Sequence, residues 1–240
     1  MKQKLISLSL YLVFACNLLA QENNIEFGLG TTPFISWISP SNKAISNGGA
    51  NPSFGFGAKI NYNLSSKYAF GFEINLQNIG ASLKADNAVV RHHNINDTVS
   101  NFGINYNLQY LDLPIFIKMH TVPQNNRSFY GEFGGSLGFL LKQRGDVNSD
   151  KYNKDDINLS EPDEDDKFDL KSTNNAESYN ITANKLRAGL MFGAGVNLHL
   201  SNSSRVELGL RYHMGLTDLL SEDKWTANSN GIGLNIGFIF

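Results

Sequence analysis

A chain of 240 residues with 20 basic and 22 acidic side chains has no excess of positive charge, which argues against a nucleic-acid partner. Its 22 glycines, 16 phenylalanines and 9 tyrosines favour an all-β fold over a helical one. The one cysteine, Cys16, lies in the first twenty residues and leaves the rest of the chain without disulfide or thiol chemistry.

Residues 1–20 read as a secretory signal: Lys2 and Lys4, an apolar run over 5–15, then Leu18, Leu19 and Ala20 before Gln21. That run is shorter than the roughly 20 residues a spanning helix needs, and no later stretch is continuously apolar for that length. Cleavage before Cys16 with acylation is the alternative, but Phe14 suits a lipidation site poorly. The mature domain is expected over 21–240; without Lys2 and Lys4 it holds 18 basic against 22 acidic residues, a net charge of −4.

Eight segments alternate with the period of two that sends successive side chains to opposite faces of a strand. The first sets Ile25, Phe27 and Leu29 against Glu26, Gly28 and Gly30. The second sets Phe54, Phe56, Ala58, Ile60, Tyr62 and Leu64 against Gly55, Gly57, Lys59 and Asn61; the third sets Tyr68, Phe70, Phe72, Ile74 and Leu76 against Gly71, Glu73 and Asn75. The fourth changes phase, with Ile104, Tyr106, Leu108 and Tyr110 apolar at even positions but Leu111, Leu113, Ile115, Ile117 and Met119 at odd ones. A β-bulge near Tyr110 or Leu111 would restore a single apolar face, and Pro114 also calls for an irregular spot. The fifth places Phe129, Phe133, Leu137, Phe139 and Leu141 opposite Tyr130, Glu132, Gly134 and Ser136. The sixth alternates over 186–200, the seventh over 205–214, and the eighth over 231–240.

A soluble barrel of the lipocalin kind is apolar inside and a membrane barrel apolar outside, so the polar faces decide between them. They carry Glu26, Lys59, Glu73, Asp112, Lys118, Glu132, Arg187, Arg205, Glu207 and Arg211, five acids and five bases among many glycines. Small residues and mutually neutralising ions suit the narrow lumen of an eight-stranded barrel. The expected fold is therefore an antiparallel up-and-down transmembrane β-barrel of eight strands. The connections 38–52, 79–103, 142–185 and 215–230 are long, whereas 65–66, 121–127 and 201–204 are short. Long outer loops and short periplasmic turns would put both termini in the periplasm.

The stretch Tyr110-Leu111-Asp112-Leu113-Pro114 resembles a motif found mid-chain in the PorT-like outer-membrane β-barrel family. The resemblance implies location in a Gram-negative outer membrane and the barrel fold; it carries no catalytic residues with it. Phe238 and Phe240 resemble the C-terminal signal read by the barrel assembly machinery, although both also suit lipid-facing aromatics.

Candidate chemistry is sparse. His199 and His213 fall on the lumen face of oppositely directed strands and should lie at opposite ends of the barrel. His92 and His93, with Asp86 or Asp97, and the acidic run over 161–169 have metal-ligand types without a recognisable ligand spacing. Gly-x-Ser-x-Gly, Walker and dinucleotide motifs are lacking, and no serine stands beside a lumen histidine on a shared face. No cofactor, metal or catalytic residue is expected. The function expected is structural or surface-interacting, with lipid, lipopolysaccharide or an envelope protein as partner; a lipid-modifying enzyme and a soluble ligand-binding barrel are the alternatives.

Overall fold

The computed structural model describes residues 24–41, 46–85, 88–92, 95–99, 102–148, 183–201, 204–220 and 227–240. The signal expected over 1–20, Asp86, His93 and the acidic run over 161–169 lie outside those residues. In chain order the strands are β1 (Ile25–Pro40), β2 (Ser46–Gly49), β3 (Asn51–Asn63), β4 (Tyr68–Ala85), β5 (Ala88–His92), β6 (Ile95–Val99), β7 (Phe102–His120), β8 (Arg127–Asn148), β9 (Leu186–His199), β10 (Arg205–Gly215) and β11 (Ala227–Ile239).

Eight of them form a closed antiparallel barrel in the ring order β1, β3, β4, β7, β8, β9, β10, β11, with β11 returning to β1. Closure leaves no strand edge to lipid, which cannot satisfy free N–H and C=O groups. The short β2 extends the sheet beside β4, and β5 pairs with β6 as a separate hairpin. At the short-turn end, Asn125 and Asn126 both have positive φ, 50° and 61°, between the mutually bonded Gln124 and Arg127. That is the two-residue turn whose twist matches antiparallel strands, and Asn tolerates its left-handed conformation.

On β8 the odd-numbered side chains Phe129, Phe133, Leu137, Phe139 and Leu141 point outward and are exposed. About 12 steps of about 3.3 Å, tilted by roughly 40°, cover about 30 Å, the thickness of a bilayer's hydrocarbon core. Leu29, Ile35, Phe56, Phe70, Ile117, Phe192, Leu210, Leu234 and Phe238 continue this belt around the barrel. The expected membrane polarity therefore holds over this zone.

Beyond the belt, toward the long-loop end, the polarity inverts. Ile79, Ala81 and Leu83 of β4, and Ile104, Tyr106, Leu108 and Tyr110 of β7, are all at most 3% exposed and fill the interior. Asn78, Lys84, Asn105, Asn107 and Gln109 stand on the outer side. Where lipid gives way to water, apolar side chains gain by turning inward, as in a soluble barrel.

This inversion corrects two expectations. First, β7 has no bulge: its even-numbered residues face inward from Ile104 to Lys118, and the apparent phase change is an exchange of environments. The register shift lies instead on β8, where Gln109 faces Lys142 and Tyr110 faces Leu140, so that Leu141 is the extra residue. Second, the expected loops 38–52, 79–103, 142–185 and 215–230 are partly strand, because β1 runs to Pro40, β4 to Ala85, β8 to Asn148, and β11 starts at Ala227. Alternation with an apolar outer face reveals only the lipid-facing length of a strand. Pro114 does fall at an interruption, since the β4–β7 pairs skip from Phe72–Ile115 to Asn75–Asp112. Pro33 falls at a similar gap between β1 and β11.

Inward glycines make room for large neighbours. A Cβ on Gly71 would overlap the Phe116 ring, and one on Gly209 would meet the Tyr130 hydroxyl and the Ala194 carbonyl. Gly71→Ala should lower stability by about 1–3 kcal/mol, the usual effect of overpacking a filled interior. An unchanged urea midpoint in detergent would show that Phe116 can move aside.

Candidate functional site in the barrel lumen

Because β3, β4, β7, β8, β9 and β10 turn alternate residues inward, their charged side chains converge in the middle of the barrel. Arg211 of β10 is 1% exposed and reaches two carboxylates: its Nη1 donates to Glu73 Oε2 at 2.8 Å and its Nε to Glu132 Oε1 at 2.7 Å. Its Nη2 completes a bidentate pair with Glu73 Oε1 at 2.9 Å. Planar guanidinium geometry favours this fork over any contact a lysine could make.

Lys118 Nζ donates to both oxygens of Glu207 at 3.0 Å and stands 3.8 Å from Glu132. Lys59 lies 3.5 Å from both Glu73 and Glu207 and donates to Asn235 Oδ1 at 2.8 Å. Arg205 forks onto Glu26 at 2.6 and 2.7 Å and touches Glu207 at 3.4 Å. Eight of the ten lumen charges thus form one continuous network. Arg187 and Asp112 form a separate pair at 3.0 Å, with Gln77 and Ser229 also accepting from Arg187. Tyr110 packs its ring against the Arg187 guanidinium at 5.1 Å. Within the family-like motif, Tyr110 and Asp112 therefore point into the lumen, and Leu111 and Leu113 to the outer side.

Toward the chain termini the network opens into a vestibule of about 400 Å³ lined by residues including Glu26, His120, Ser128, Asn197, His199 and Arg205. Contrary to the sequence reading, a serine does stand beside a lumen histidine: Ser128 Oγ lies 3.1 Å from His199 Nε2. Asn197 donates to Ser128 Oγ and bonds His120 Nδ1, each at 3.2 Å. The signal was present, because Ser128 is the direct cross-strand partner of Asn197, which shares its parity and face with His199. Assigning it required the β8–β9 register. A catalytic pair of this kind takes a third group to orient its base, and among the described residues no carboxylate is hydrogen-bonded to His199.

At the other end the lumen is sealed. Gln143 accepts from Ala183 N at 2.7 Å, Tyr110 donates to Asn184 O at 3.0 Å, and Asn184 donates to the carbonyls of Asp218 and Leu220. Leu219 and Leu220 are buried by these ties. His213 lies between seal and network, 6.4 Å from Phe34, both ring nitrogens without a hydrogen-bond partner among the described residues. It is remote from His199 in the vestibule. No group of three His, Cys, Asp or Glu residues able to hold a metal occurs among the described residues.

Closed pairing, an outward apolar belt and an internally neutralised lumen define an integral β-barrel membrane protein. The chain belongs to the family of the outer membrane protein beta-barrel domain, which matches residues 19–221. Among solved structures it is similar to Neisserial surface protein A (11% identity, TM-score 0.42, covering 89% of this chain and 95% of that one). It is also similar to Ail, the attachment invasion locus protein of Yersinia pestis (10%, 0.40, 90% and 98%), and to OprG from Pseudomonas aeruginosa (11%, 0.39, 90% and 94%). A search of curated proteins finds no match.

Proposed function

We propose that this outer-membrane barrel works as a structural or surface-interaction protein through its long-loop end, and neither conducts solutes nor catalyses a reaction. The observation that carries the reading is the filled lumen: a salt-bridged middle beneath an apolar seal leaves no continuous aqueous path. Eight-stranded barrels are filled by side chains, and open channels belong to barrels of about 16 strands or more. The short turns and both termini then face the periplasm, and the long connections face outward. Partners on this reading are the lipid and lipopolysaccharide around the belt and an envelope protein at the loops. Phe238 and Phe240, both exposed on the lipid face, would serve the barrel assembly machinery. The Tyr110–Pro114 resemblance favours the PorT-like branch of the family.

The protein should fractionate with the outer membrane and migrate in detergent gels as a heat-modifiable species; recovery from the soluble periplasm would end the reading. Crosslinked pull-downs should then compare the intact chain with one shortened between residues 145 and 180. Specific partners lost on shortening would support loop-mediated interaction, since polar connections of such length are commonly functional. Altered phospholipid or lipid A composition in a deletion strain would turn the assignment to a lipid-modifying enzyme instead.

A further inference from the structure

We propose that β8 carries a docking site for a phosphorylated glycolipid headgroup on the outer wall of the barrel, at the top of the apolar belt. The inference rests on the reading above, in which the long-loop end faces the outer leaflet.

The bulge at Leu141 is its geometric basis. Below it the odd-numbered residues of β8 face lipid, with Phe139 and Leu141 both exposed; above it the outward parity switches to even numbers. Leu141 and Lys142 consequently stand side by side on the outer wall, followed by Arg144, and both cations are exposed. Without the extra residue, Lys142 would point into the apolar fill beside Leu108 and Tyr110. Bulges re-aim side chains in this way.

The surroundings suit an anion. Lys142 is paired across the ladder with Gln109, and Arg144 with Asn107, so two carboxamides share the outer face with two cations. Lys185, also exposed, sits beside them where its carbonyl accepts from Leu140 N at 2.8 Å. Across the ladder neither Lys142 nor Arg144 meets a carboxylate. The five cations of the lumen are all matched by carboxylates inside the barrel, whereas Lys142 and Arg144 stand on its outer wall. Their height selects the occupant: immediately above Leu137, Phe139 and Leu141, they lie at the depth of headgroup phosphates whose acyl chains cover those same residues. Lysine and arginine at that level extend their aliphatic stems along the apolar surface and present the charge at the interface. Guanidinium adds a bidentate grip on phosphate.

The test uses the full-length protein in detergent with diphosphorylated lipid A, dephosphorylated lipid A or inorganic phosphate, and bound lipid is counted by native mass spectrometry. Retention of diphosphorylated lipid A should weaken about thirtyfold in K142Q/R144Q, as expected for two lost interfacial cations. The charge-matched control K67Q/R127Q, altered at the short-turn end, should bind as the native chain does. Heat-modifiable migration of both variants verifies that they fold. Equal binding by native and K142Q/R144Q, or equal retention of dephosphorylated lipid, overturns the site. Competition by inorganic phosphate at the same concentrations overturns the lipid assignment. Because binding in detergent does not depend on orientation, cysteine labelling of the loop end in intact cells separates failure of this site from failure of the topology.

Discussion

Replacing Arg211 with alanine should destabilise the barrel by about 3–5 kcal/mol, read as a shift of the urea midpoint in detergent. The reason is the state left behind: Glu73 and Glu132, 2% and 4% exposed, would lose their shortest cationic contacts while remaining out of reach of water. Lys59 and Lys118, 3.5 and 3.8 Å away, keep some compensation and place the effect toward the lower figure. A triple variant, Arg211→Met with Glu73→Gln and Glu132→Gln, should recover much of the loss, because buried ion pairs contribute little net stability once both signs are removed together. Arg187→Ala should also destabilise: it orphans one carboxylate instead of two, but Asp112 retains no other cation in contact among the described residues. If Arg211→Ala and Arg187→Ala both unfold at the native midpoint, these side chains are solvated and the network has no structural weight.

The second large effect concerns the inversion of polarity along one strand. Ile79→Asp should destabilise by several kcal/mol, because it places a carboxylate with no cation among Ile104, Leu108 and other buried apolar groups. Asn78→Asp, one residue earlier but on the outer side, should leave the midpoint within about 0.5 kcal/mol, as surface substitutions usually do. Ile74→Lys, lower on the same strand and 45% exposed, should cost about 2–4 kcal/mol in a bilayer, because there the outer side is lipid. Three substitutions on β4 thus report three environments. Tolerance of Ile79→Asp together with intolerance of Asn78→Asp would reverse the facing assigned above the belt.

Much of this arrangement was legible in the sequence because lipid imposes a strict alternation. The ten charges from Glu26 to Arg211 all fall on the minority face of alternating segments, and parity alone placed them in one lumen. Which charge meets which was not legible: Arg211 finds Glu73 and Glu132 through strand neighbours distant in sequence, and those neighbours follow from ring order and register. The same dependence hid Ser128 beside His199. Above the belt the rule itself changed. Equating apolar with outward makes Ile104 to Tyr110 lipid-facing and calls for a bulge in β7 to reconcile them with Leu111 to Met119. The sequence there obeys the rule for water outside, and the extra residue belongs to the neighbouring strand.

The pairing of β1 with β11 joins Gly28 to Ile239, so the ring is completed across almost the entire described chain. Loop-closure entropy grows only slowly with separation, yet the contact must form before its many neighbours repay it. Until β11 is in place, both β1 and β10 present bare ladders, and such edges are templates for aggregation. The seam is also where Pro33 interrupts the ladder, between Thr31–Ile236 and Phe34–Gly233. The ring therefore cannot close before β11 is present, and a chain truncated before residue 227 should persist only in the care of a chaperone or as aggregate.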